Sequence, residues 1–143
     1  MDPSYNFTGN SKPRVRFDFD VIAPLDRTGP DPFAEDVARK EIHQLASVIR
    51  ADTKWMDHLM DTLYLSPAET EIVRAKMPSK VVAPPSSIGV DFDGPKKTMK
   101  MYIPGVRKAM ATGELENDLM LEAVRSLEPT GSELAPAIDL LTE

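Results

Sequence analysis

From Arg14 to Val21 every second residue is apolar. Val15, Phe17, Phe19 and Val21 alternate with Arg14, Arg16, Asp18 and Asp20. An extended strand sorts such a pattern onto two sides, because its successive side chains point in opposite directions. The segment predicts a half-buried strand with one apolar and one charged face. The same alternation returns later. Ile88, Val90 and Phe92 oppose Ser87, Gly89, Asp91 and Asp93, while Met99, Met101 and Ile103 oppose Thr98, Lys100 and Tyr102. Asp93-Gly94-Pro95 is a turn signal between the two runs, so they read as an antiparallel hairpin. Ser4 to Phe7 and the Thr8-Gly9-Asn10 turn predict a shorter strand paired with the first one.

The rest of the chain has helical spacing. Asp31-Pro32 reads as an N-cap with proline at the first helical position. Val37, Ala38, Ile42, Leu45 and Ile49 follow as an apolar stripe. A second helix is expected from Asp52, with Trp55, Leu59, Met60 and Leu63 in its core stripe. Ser66-Pro67-Ala68-Glu69 is a capping-box arrangement that opens a third helix, which stops before Pro78. Pro104 opens another helix that Gly113 can close. Leu115 to Leu127 is helical again, with Leu115, Leu119, Ala123, Val124 and Leu127 as its stripe. A last short helix is expected from Ser132 to Leu141.

The expectation is one α+β domain over residues 1–143. It has a first hairpin in 1–30, helices in 31–80, a second hairpin in 81–103 and helices in 104–143. The helices cover the apolar face of the strands. The polar face then meets either bulk water or the lumen of a closed barrel. The pattern alone favours the first, an ordinary α+β sandwich.

Composition excludes several functions. With a net charge of −6, a general nucleic-acid or anionic-membrane surface is not expected. The chain has no cysteine, hence no thiolate metal site and no cysteine nucleophile. Its two histidines are far apart in sequence and make a His-based metal site improbable. No run of about 18 apolar residues is present, and the first thirty residues have no apolar signal-like core. A cytoplasmic location is the expectation.

On a lumen-facing polar side, Arg14, Arg16, Lys100 and Tyr102 would make an anion site suited to phosphate or diphosphate. The competing reading is that these are solvated strand charges paired with Asp18, Asp20 and Asp91. Without further information, the second is the simpler account. His43 and His58 read as surface or boundary histidines, and Trp55 as core. Asp57 and Asp61 are four apart on one helix face, without the acidic cluster that a magnesium-bound diphosphate needs.

Three ordered runs carry a resemblance. They are Ser4-Tyr5-Asn6-Phe7; Val15-Arg16-Phe17-Asp18-Phe19-Asp20-Val21-Ile22-Ala23-Pro24 with Asp31-Pro32-Phe33; and Ile88-Gly89-Val90-Asp91-Phe92 followed by Met99-Lys100-Met101-Tyr102-Ile103-Pro104 and continuing to Gly113. Together they resemble the N-terminal part of fungal indole prenyltransferases of the dimethylallyl-tryptophan-synthase type. That resemblance implies the ABBA prenyltransferase barrel, with ten antiparallel strands around a lumen and helices on the outer face. It reverses the simpler reading of the polar face.

The implied reaction transfers a dimethylallyl group from its diphosphate to an indole or tryptophan-derived acceptor. No cofactor or metal is implied, because side-chain cations bind the leaving diphosphate. By the same resemblance Arg16 and Lys100 fall on diphosphate-binding positions, and Tyr102 on a tyrosine that shields the allyl cation. Asp2 stands at the position of the indole-binding catalytic glutamate, one methylene shorter. The family is longer and draws further lysines, arginines and tyrosines from later strands, whereas this chain offers four strands in two hairpins. A second chain completing the barrel is therefore the expected partner, beside an aromatic small-molecule acceptor. The enzyme is expected in the assembled complex. The alternatives are a non-catalytic scaffold derived from a truncated prenyltransferase, or an unrelated small α+β protein.

Overall fold

The computed structural model describes residues 2–6, 14–22, 29–77 and 84–127. The fold is mixed α/β. The strands are β1 (Asp2–Asn6), β2 (Arg14–Asp20), β3 (Ser87–Asp93) and β4 (Lys96–Tyr102). The helices are α1 (Glu35–Ile49), α2 (Lys54–Leu63), α3 (Pro67–Lys76), α4 (Val106–Thr112) and α5 (Glu116–Ser126). The described residues pack as two compact units. One contains the strands and α1, and the other contains α2 to α5.

In the first unit the strands pair antiparallel in one sheet, in the order β1-β2-β3-β4. Alternation keeps one face apolar. Val15 stands opposite Phe92, Phe17 opposite Val90 and Phe19 opposite Ile88; Met101 and Met99 continue this face onto β4. Phe17 and Phe92 meet edge to face with centroids 5.9 Å apart, an arrangement the ring quadrupoles favour. Ile88 and Val90 are buried, as is the inner stripe of α1, Ala38, Ile42 and Ala46. The β3–β4 loop is the two residues Gly94-Pro95, with Asp93 paired to Lys96. Gly94 has a φ of 59°. That conformation suits glycine at the first loop position, and the following proline supplies the negative φ of the second.

Several expected boundaries shift. α1 begins at Glu35, and Ala34 is its N-cap in a left-handed conformation. Asp31 still caps the helix from a distance, its carboxylate accepting from the backbone N–H groups of Glu35 at 2.8 Å and Val37 at 3.1 Å. The intervening Pro32-Phe33-Ala34 makes a turn that buries Phe33, so the apolar ring decides where the helix starts. α2 starts at Lys54 rather than Asp52. Val37, Trp55 and Leu115, expected in apolar stripes, are exposed. The Thr8-Gly9-Asn10 turn and the 132–141 helix lie outside the described residues.

In the second unit the buried residues include Met60, Leu63, Tyr64, Val73, Leu119 and Ala123. α3 has the full capping box. The Ser66 hydroxyl accepts from the Glu69 N–H, and the Glu69 carboxylate accepts from the Ser66 N–H at 2.8 Å. Lys108 of α4 donates to the same carboxylate at 2.8 Å. Burial pushes the Glu69 carboxyl up, but the bonds from Lys108 and Ser66 outweigh it and hold the group below its usual range. Gly113 ends α4, its N–H bonded to the Ala109 carbonyl. No helix among the described residues is long and apolar enough to cross a membrane.

Ser66→Ala removes one half of the capping box and leaves an N-terminal N–H without its acceptor. A loss of about 1 kcal/mol is expected in urea unfolding followed by circular dichroism.

Candidate functional site

The polar face of the sheet gathers charge from three strands. Register sets Arg16 directly opposite Asp91, and Lys100 opposite Gly89. Asp91, on the central strand β3, accepts from both neighbours. Arg16 reaches it with Nε at 2.7 Å and Nη2 at 3.3 Å. Lys100 Nζ lies 2.6 Å from its second oxygen. The Asp91 side chain is 8% exposed, Arg16 is 20% and Lys100 is 38%. The carboxylate is therefore nearly enclosed, while the two cations keep an open side. The Arg16 bonds, opposed by burial and reinforced by Lys100, hold the Asp91 carboxyl down at about 2. The same hydrogen bond raises the Arg16 guanidinium above its usual value.

Gly89 makes this face flat enough to crowd. A Cβ there would come within 2.8 Å of Asp18 Oδ1, 3.8 Å of Lys100 Cβ and 3.9 Å of Tyr102 Cε2. The missing side chain leaves room on β3 for the carboxylate of Asp18 and the edge of the Tyr102 ring. Tyr102 is 53% exposed. Arg16, Lys100 and Tyr102 thus share one face, as the alternation predicts. Asp2 pairs through its backbone with Asp18, which puts its position in register with the same face.

Sequence reasoning named Asp18 and Asp91 only as counter-charges for the strand cations and gave Gly89 no role; Asp91 pairs with both Arg16 and Lys100. Alternation already put Asp18, Gly89 and Asp91 on the polar side. What it lacked was the β2–β3 register, which joins positions 75 residues apart.

The remaining candidates lie elsewhere. His43 is exposed on α1. His58 Nε2 stands 2.7 Å from Ser126 Oγ, and that hydroxyl donates its proton to the Ala123 carbonyl at 2.8 Å. The pair lines a cleft of about 440 Å³ with Trp55, Asp57 and Asp61. Trp55 is exposed at its edge rather than part of the core. Among the described residues no three His, Asp or Glu side chains are grouped to hold a metal ion.

The chain belongs to the tryptophan dimethylallyltransferase family, whose model matches residues 1–143. Its similar relatives are fungal prenyltransferases. It is 59% identical over 141 residues to the indole prenyltransferase tdiB of Emericella nidulans, covering 99% of this chain and 34% of that protein. It is 30% identical over 154 residues to the indole diterpene prenyltransferase terF of Tolypocladium album, covering 99% of this chain and 35% of the relative. It is 31% identical over 134 residues to the reverse prenyltransferase criA of Aspergillus cristatus, covering 90% of this chain and 31% of the relative. The chain spans about a third of the length of these relatives.

Asp91 makes stability acid-sensitive. Its folded value of about 2 lies below the ordinary 3.8, so its contribution is fully present above the ordinary value and is lost as pH falls through about 2. A shift of that size corresponds to on the order of 2 kcal/mol. Urea unfolding between pH 6 and pH 2 should show an acid-dependent loss of that order, and Asp91→Asn should remove that part of the slope.

Proposed function

We propose that the chain forms part of a metal-independent aromatic prenyltransferase and contributes one side of its prenyl diphosphate site. The observation that carries this is the convergence of Arg16, Lys100 and Tyr102 on one polar sheet face in a chain of this family. Arg16 and Lys100 bind the diphosphate of dimethylallyl diphosphate. Their charge stabilises the leaving group as the C–O bond to the allyl carbon breaks. The face of Tyr102 shields the allyl cation. An indole or tryptophan-derived ring attacks the cation, with Asp2 at the position that accepts the indole N–H. In this reading the sheet is part of an ABBA barrel wall and its polar face looks into the lumen. The rest of the wall comes from outside residues 1–143, from a second chain or from a continuation of this one. The reaction takes place in the cytoplasm.

A second reading is supported by the pairing of both cations with Asp91. The cluster is then a structural tie between strands in a non-catalytic scaffold. The two readings differ in one measurement. Dimethylallyl diphosphate binding and prenyl transfer to tryptophan are measured on the protein as isolated, with and without EDTA. Arg16→Ala and Lys100→Ala should each weaken diphosphate use by about ten- to a hundredfold, with the circular dichroism spectrum unchanged. EDTA should leave binding intact. Wild-type behaviour of both variants would refute the diphosphate role, and loss on chelation would refute metal independence.

A further inference from the structure

The Arg16–Asp91–Lys100 cluster has an asymmetry that charge counting does not explain. The two cations and one carboxylate carry a net charge of one, so Asp91 cancels half of the attraction for an anion. A site built only to attract diphosphate would have a neutral residue there. Yet the carboxylate sits on the central strand, 8% exposed, and takes two bonds from Arg16 and one from Lys100. A long arginine and a long lysine have many rotamers, and fixing them otherwise waits until the anion arrives. Here the guanidinium is already fixed by a two-point contact, which a planar fork makes directional. Its Nη1 edge takes no part in that contact.

We propose that Asp91 is the positioning residue of the anion site, holding the Arg16 guanidinium and the Lys100 ammonium where a diphosphate will meet them. This rests on the diphosphate reading given above. Arg16, held at two points, is the fixed element. Lys100, held at one point and the more exposed of the two, is the one that can turn toward the anion while Asp91 stays with Arg16. Asp91 acts through these side chains and touches no reacting atom. Gly89 assists by leaving the floor of β3 low between Asp18, Lys100 and Tyr102.

Inorganic diphosphate is titrated calorimetrically into wild type, Asp91→Asn and Asp91→Glu at pH 7. The backbone amide spectrum reports the fold, and the Arg16 Nε–H resonance reports its protection from exchange. Both Asp91 variants should keep the backbone spectrum, lose protection at Arg16 Nε–H and bind diphosphate about tenfold or more weakly. A purely structural role would move the unfolding midpoint and leave binding by the folded protein unchanged. A purely electrostatic role would make Asp91→Asn bind more tightly and leave Asp91→Glu unaltered. Either result overturns the proposal while the diphosphate site stands. Should Asp91→Asn not fold, Asp91→Glu, which keeps the charge and displaces it by one methylene, decides. If wild type does not bind, or binding ignores Arg16→Ala and Lys100→Ala, the diphosphate reading fails and this proposal with it.

Discussion

A carboxylate on the central strand of a sheet must be compensated or protonated, because removing an isolated charge from water is expensive. Asp91 meets this constraint with an arginine from β2 and a lysine from β4, one neighbour on each side. The three strands are thereby tied on their polar face as well as by their backbone bonds and their apolar face. The rest of the polar face is arranged around this contact. Lys100 can reach Asp91 because Gly89 lies beside it in register, and the same glycine admits Asp18 and the edge of Tyr102. Larger side chains at that point would push these groups apart.

All the residues with a proposed role in diphosphate binding belong to the unit made by the strands and α1. The second unit is held by different means. Its helices rely on local capping, a small apolar core and the Lys108–Glu69 contact between α3 and α4. Among its described residues, His58 stands beside Ser126, whose hydroxyl also bonds the Ala123 carbonyl. The proposed diphosphate contacts are therefore concentrated in the sheet, where strand alternation delivers charged side chains in rows.

The strands and helices were legible because each is written in a local period. Strand alternation identified β2, β3 and β4, and the Ser66–Glu69 spacing identified the start of α3. Where local reading went astray, a non-local contact had decided the matter. The Asp31-Pro32 signal places the helix start directly after Asp31, but burial of Phe33 inserts a turn and moves the start of α1 to Glu35. Trp55, Val37 and Leu115 fit their helical stripes by spacing and are nevertheless exposed. A stripe is wider than the strip of surface that its neighbours cover, and only the packing shows which members lie at its margin.

By itself the sequence determined which residues share a face, since the alternation of a strand follows from its backbone geometry. It put Arg16, Lys100 and Tyr102 on polar faces, and its ordered runs pointed to the family that the whole chain matches. Only the tertiary structure decided which polar residues meet. The register of β2 against β3 brings Arg16 opposite Asp91, across 75 residues of chain. That register is fixed jointly by the apolar pairs on the other face, Phe17 with Val90 and Phe19 with Ile88. A slip by one residue would turn every one of these side chains to the wrong side. Such a constraint belongs to two distant segments at once, and neither segment carries it alone.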